Sequence, residues 1–138
     1  MKLPSSTRYG IRAILKIALW YGKEPVRIKT IAEHEDISSK YLEQLIASLK
    51  MAGLVRGMRG PSGGYTLARP PSEISMKDVV LAMEGPMVPE ECHAHSEHIP
   101  HCADCITLQI WQEIQGAVMG VLEKVTVAEL IEHPSLKP

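Results

Sequence analysis

Apolar residues recur at helical spacing along most of this chain, and the breaks between runs mark its elements. Ile14, Ile17, Ala18 and Tyr21 form one stripe while Ile11, Leu15 and Leu19 form another on the far side, so a first helix is expected from a Ser6 or Thr7 cap to about Tyr21, with Gly22 as its stop. A helix apolar on two faces is buried on two faces. A short helix over Lys29 to about Glu35, with Ile28, Ile31 and Ala32 inward, leads through an Ile37-Ser38 turn into a second periodic run. In that run Leu42, Leu45, Ile46 and Leu49 recur at i, i+3, i+4 and i+7, and the Ser38 hydroxyl is placed to accept from an unpaired first-turn N–H. Gly53 stops it, because glycine adopts the left-handed cap conformation without side-chain strain. Leu54 to Met58 and Tyr65 to Ala68 are short strand-like runs joined by Arg59-Gly60-Pro61-Ser62-Gly63-Gly64, a hairpin signal.

Beyond the hairpin, Pro70-Pro71 interrupts structure and Ser75-Met76-Lys77-Asp78 opens a helix running to Glu84, ended by Gly85-Pro86. Residues 86–104 have no periodicity. Helical spacing resumes from about Asp104, with Leu108, Trp111, Ile114 or Gln115, Val118, Val121 or Leu122, and Val125 three and four apart. That pattern is a short coiled-coil seam, and the same helix in a second copy is the expected partner, packing within one monomer being the alternative. Thr126-Val127-Ala128-Glu129 is a capping box for a brief last helix closed by His133-Pro134.

The fold class that follows is mainly α with a small β-hairpin wing: a winged helix-turn-helix plus a long dimerisation helix. An ordinary core helix beside a surface hairpin is the plainer reading of the same pattern. Residues 1–85 form the helix-turn-helix region, 86–104 an effector loop, and 105–138 the dimerisation and C-terminal helices, within one compact domain. At 138 residues the chain suits one domain with a real core. No apolar run approaches the roughly 20 residues of a membrane span, no signal-peptide pattern opens the sequence, and a cytoplasmic protein is expected.

Charge changes the picture through its distribution. The net charge is only -1. Residues 1–69 hold 12 Lys+Arg against 5 Asp+Glu, or +7, and residues 70–138 hold 3 against 11, or -8. A basic half bearing the helix and wing suits phosphate, whereas the acidic half is repelled by it. On the arc opposite the apolar stripe lie Ser39, Lys40, Glu43, Gln44 and Ala47, small or polar residues that leave the helix free to enter the major groove, about 12 Å wide. The candidate DNA contacts are Ser38, Ser39, Lys40, Tyr41, Glu43 and Gln44 on the helix, with Arg59, Gly60 and Ser62 on the wing.

Tyr41-Leu42-Glu43-Gln44-Leu45, Gly53-Leu54-Val55 and above all Arg59-Gly60-Pro61-Ser62-Gly63-Gly64-Tyr65 resemble the bacterial Rrf-two (BadM-type) family of winged-helix transcription regulators. The resemblance runs from Met1-Lys2-Leu3 through Trp111 to Thr126-Val127-Ala128-Glu129-Leu130. It implies a sequence-specific regulator of double-stranded DNA, a repressor that binds a palindromic operator as a homodimer. Its members include regulators of iron-sulfur clusters and of cysteine metabolism and a sensor of nitric oxide. A protein-interaction module built on the same winged helix is the rival reading.

The loop carries the remaining chemistry. Cys92, Cys102 and Cys105 are spaced C-x9-C-x2-C, an odd number clustered within fourteen positions, which suits a metal or redox site in a reducing compartment better than a disulfide framework. In the family's cluster-binding members, three cysteines of the equivalent loop hold an iron-sulfur cluster, [2Fe–2S] or [4Fe–4S]. By that resemblance Cys105 matches the last position and Cys92 the first, whereas Cys102 departs, the usual middle position being Ile99 here. The fourth-ligand positions of relatives correspond to Leu108 and Arg8, neither of which ligates, so His93, His95, His98 and His101 are the candidate donors. A zinc site of Cys and His, a thiol pair at Cys102 and Cys105 that senses oxidants, control by a partner protein, and a loop without any cofactor all stay open.

Catalysis has little support. His95-Ser96-Glu97 and Pro100-His101-Cys102-Ala103-Asp104-Cys105 superficially resemble the zinc deaminase halves, but His101 separates Pro100 from Cys102 and the halves nearly abut, leaving no substrate pocket between them. Gly60 to Gly64 precede a strand rather than a helix, so they form no nucleotide-binding loop.

Overall fold

The computed structural model of the chain describes residues 3–85 and 106–136, without the side chains of Thr107 and Leu108. In order it comprises α1 (Ser5–Leu19), α2 (Ile28–Glu35), α3 (Ser39–Met51), β1 (Val55–Met58), β2 (Gly64–Leu67), a 3-10 turn (Pro71–Glu73), α4 (Met76–Glu84), α5 (Ile106–Lys124), α6 (Val127–Ile131) and a closing 3-10 turn (Pro134–Leu136). The expected architecture of helices with a small antiparallel hairpin is observed among the described residues. Among the described residues no helix is long and apolar enough to cross a membrane.

α1 is the central helix. It packs on α2, α3, α4, α6 and β2, and Ala13, Ile14, Leu15, Ile17 and Ala18 are all buried, which explains why its sequence is apolar on two sides. Its start differs from expectation. Neither Ser6 nor Thr7 caps it; Pro4 occupies the N-cap without a side-chain bond, and the helix begins at Ser5. Thr7 is instead fully buried and its hydroxyl donates to Glu84 Oε1 at the end of α4. Three residues on, Gly10 lies against the Met83 side chain. The two contacts join the start of α1 to the end of α4.

Leu42, Leu45, Ile46 and Leu49 of α3 are buried as their spacing predicts, against α1, α4 and β1. Full burial of a leucine is worth about 1.5–3 kcal/mol, so this stripe holds α3 firmly to the core. The left-handed Asp36 (φ 54°, ψ 48°) makes the turn between α2 and α3, a conformation that Asp tolerates better than most residues.

The hairpin pairs Val55 with Leu67, Arg56 with Thr66, Gly57 with Tyr65 and Met58 with Gly64. Val26 extends it, exchanging two backbone hydrogen bonds of 2.8 Å with Tyr65. This third rung is absent from the sequence reading because a single residue between Pro25 and Arg27 shows no alternation.

α4 starts with the expected capping box, Ser75 accepting from the Asp78 N–H and Asp78 from the Ser75 N–H. Thr126 and Glu129 form the second box at α6. Between them Met76 N–H donates to Val125 O and Val127 N–H to Ile74 O, both at 2.8 Å, fastening the C-terminal end of α5 to the winged helix.

Candidate nucleic-acid interface

The candidate contacts lie on two elements that touch, α3, through its outer arc, and the hairpin, through its tip. Ser38 caps α3, its Oγ accepting from Tyr41 N–H at 3.1 Å. With the apolar stripe committed to the core, Ser39, Lys40, Glu43, Gln44 and Ala47 are exposed, while Tyr41 is half-buried. Tyr41 packs edge-to-face against Tyr9 of α1, ring centroids 6.1 Å apart at 85°. The Arg12 guanidinium carbon sits 5.7 Å from the Tyr9 ring centroid, and Arg12 Nε lies 2.5 Å from the Glu35 carboxylate. Sequence periodicity does not reveal this set, because Tyr9, Arg12, Glu35 and Tyr41 lie on three different helices.

The wing is shaped by backbone contacts. Gly63 N–H donates to Gly60 O at 2.9 Å, and Arg27 Nη2 donates to Pro61 O at 2.5 Å, holding the tip against the segment that enters α2. A Cβ at Gly63 would lie 2.5 Å from Met58 O, and one at Gly64 would lie 2.6 Å from Val26 O. Both glycines are therefore demanded by close backbone approach. Arg56 and Arg59 are exposed, as are Gly60 and Ser62. Exposed cations beside a polar helix arc and a narrow hairpin suit a duplex, with the helix in one groove and the tip against the neighbouring backbone. Arg27, which sequence reading omitted, adds a guanidinium whose bond fixes the tip.

The other candidate residues are divided. Leu122 of α5 and Val125 just beyond its end pack on this chain's own core, and Val118 is half-buried. Trp111 and Ile114 are exposed, together with Ile106, Ile110 and Val121, Ile106 being 72% and Val121 65% exposed. The side chain of Leu108 lies outside the described residues, as do the candidate ligands Cys92, His93, His95, His98, His101, Cys102 and Cys105. Among the described residues no group of three or more His, Cys, Asp or Glu side chains converges on a metal position. Arg8 donates to Ser5 Oγ at 3.4 Å.

Known proteins are similar to this chain over nearly its whole length. A family model described as Rrf2, iron-dependent transcriptional regulator, matches residues 3–133. The chain is 41% identical over 138 residues to the protein named rrf2 of Nitratidesulfovibrio vulgaris, spanning 100% of this chain and 92% of that protein. Among solved structures it resembles IscR of T. potens, with a TM-score of 0.79, 32% identity and coverage of 100% of this chain and 93% of that one. It also resembles CymR, the global cysteine regulator of B. subtilis, with a TM-score of 0.75, 33% identity and coverage of 96% and 97%.

Proposed function

This chain belongs to the Rrf2 family of transcriptional regulators, and on that premise we propose that it represses transcription in the cytoplasm as a homodimer that reads a palindromic operator. It is a DNA-binding regulator and its family is not one of enzymes. The observation that carries the detailed reading is the outward arc of α3 beside a wing braced by Arg27. Ser39, Lys40, Glu43 and Gln44 would meet base edges in the major groove, Ser38 and Tyr41 the phosphates at the helix start, and Arg59, Gly60 and Ser62 the adjacent backbone or minor groove. Glu43 is repelled by phosphate, so its use is to accept from a cytosine amino group or to exclude other bases.

The dimer reading is supported by α5. Ile106, Ile110, Ile114 and Val121 recur at intervals of four, four and seven residues and are exposed, with Trp111 beside them. A stripe of this kind is the seam of a helix pair, and in a single copy it leaves a long apolar surface in water. The 19 residues of α5 span about 28 Å, enough for a sizeable two-fold contact.

The loop cysteines are the proposed effector site. Three thiols with neighbouring imidazoles are a donor set suited to an iron-sulfur cluster, and the family description is iron-dependent. Cys92, Cys102 and Cys105 would hold it, with one of His93, His95, His98 and His101. A bound cluster supplies a link that oxidants and nitric oxide can break. The chain's own contribution is the anchor at the loop's entry: Glu84, the last residue of α4, accepts from Thr7 on the helix that also carries Tyr9 and Arg12. Anaerobic purification followed by iron, acid-labile sulfide and zinc analysis tests this site. Iron and sulfide in near-equal amounts, with operator affinity changed on their removal, is the expected result. A colourless protein without iron that binds DNA identically in reductant and oxidant would refute it.

A further inference from the structure

We propose that the cavity between the C-terminal half of α1, α2 and the closing 3-10 turn takes a small organic anion, a carboxylate, sulfonate or phosphate carried on an apolar body. The cavity measures about 500 Å³, within the roughly 300–1,000 Å³ of small-molecule sites and too large for a bare inorganic ion. Its wall is apolar, made by Trp20, Val26, Ile31 and Leu136. Its polar groups are cationic or neutral: Lys16, Lys23 and His34 line it with Thr30 and Ser135, and among the described residues no Asp or Glu does.

The cations are held in place. Lys16 Nζ lies 3.3 Å from His34 Nε2, and since an ammonium can only donate, Nε2 accepts and the imidazole proton resides on Nδ1. Nδ1 lies 3.4 Å from Glu35 Oε1, and the other Glu35 oxygen contacts Arg12. Lys23 Nζ rests 5.7 Å from the Trp20 ring centroid at the same cavity. Two ammoniums oriented beforehand over an apolar wall lower the ordering cost of binding an anion. An uncharged ligand would gain the wall and leave the cations unused; an inorganic anion would leave the wall wet.

No residue of α3 or of the wing lines the cavity, so this proposal stands or fails apart from the reading of the DNA face. An occupant would touch α1 and α2 together and tie the central helix to the first helix of the helix-turn-helix.

The test uses the full chain with 8-anilinonaphthalene-1-sulfonate as the probe and uncharged N-phenyl-1-naphthylamine as its control. The sulfonate should bind saturably and receive energy from tryptophan, transfer that Trp20→Phe abolishes and Trp111→Phe retains. Lys16→Gln with Lys23→Gln should weaken the sulfonate at least fivefold and leave the uncharged probe unchanged, with far-ultraviolet circular dichroism as for the wild type. Absence of saturable binding, indifference to the two lysine substitutions, or transfer that survives Trp20→Phe and vanishes in Trp111→Phe would overturn the proposal, the last by placing the probe on α5.

Discussion

Tyr9 and Tyr41 meet edge-to-face at 6.1 Å between centroids, joining the central helix to the first turn of α3, the helix proposed to face DNA. Ser38 fixes the backbone of that turn and Tyr9 fixes its side. The Tyr9 ring is in turn backed by Arg12, whose guanidinium also engages Glu35. α1, α2 and α3 are thus locked together by side chains behind the proposed DNA face. Such aromatic pairs are worth about 0.5–1.5 kcal/mol beyond buried area. Tyr9→Leu, which keeps apolar bulk, should lower unfolding free energy by about 1 kcal/mol in urea titration and weaken operator binding, with Tyr41→Leu showing no further loss in the double variant.

Glu35 is a buried carboxylate, its side chain 3% exposed, whose Oε2 makes its ion pair with Arg12. Removing Arg12 leaves that charge with His34 alone. Arg12→Ala should therefore destabilise by roughly 2 kcal/mol, since an unsatisfied buried charged group keeps its desolvation penalty. Adding Glu35→Leu should recover part of the loss, a sign-reversing coupling readable in a double-mutant cycle. Equal, additive losses would mean the pair is not coupled.

The wing glycines differ in what a methyl group would meet. At Gly57 a Cβ would stand 3.7 Å from the Tyr65 ring, ordinary contact, whereas at Gly63 it would lie 2.5 Å from Met58 O and 2.8 Å from Gly60 O. Gly57→Ala should keep operator affinity within about twofold. Gly63→Ala should distort the tip, lower affinity on every sequence by tenfold or more, and leave the melting temperature nearly unchanged because the tip lies outside the core. Parallel binding and thermal scans of the two variants check the contrast.

Readout and attraction should separate by residue. Glu43→Ala should relax base preference more than it weakens binding, while Arg59→Ala should weaken binding on all sites and reduce the slope of log affinity against log salt by about 1. Competition among operator variants at several salt concentrations distinguishes the two. An unchanged ranking of operators in Glu43→Ala would mean that α3 enters the groove by another arc.

Helices, caps and the glycine wing were legible in the sequence because each rests on local chemistry: Ser38, Ser75 and Thr126 cap within their own turns, and Leu42 to Leu49 repeat with the helix period. Contacts between distant segments were not. Thr7 resembles a cap by position and serves instead as a buried donor to Glu84, 77 residues away. Along α5, spacing identified an apolar helix but not its division: Leu122 and, just beyond its end, Val125 turn to their own core and Ile106, Ile110 and Val121 turn outward. A helix with apolar residues on more than one face carries no mark in its sequence of which face meets which neighbour.

The apolar residues that α5 leaves outside predict its partner. Ile110→Asp with Val121→Asp should convert the proposed dimer to a monomer in sedimentation equilibrium while retaining the helical spectrum, because both side chains are exposed in a single copy. A monomer would retain salt-dependent, weak DNA binding and lose the operator.

Selection from a randomised duplex library by the wild-type protein tests the central claim most directly, that a two-fold pair of α3 helices reads DNA. The enriched sequence should be a palindrome whose half-sites are centred about 10 base pairs, or a multiple, apart, one face of the duplex being presented to both helices. Enrichment of an asymmetric site, or no enrichment above the starting library, would contradict the account.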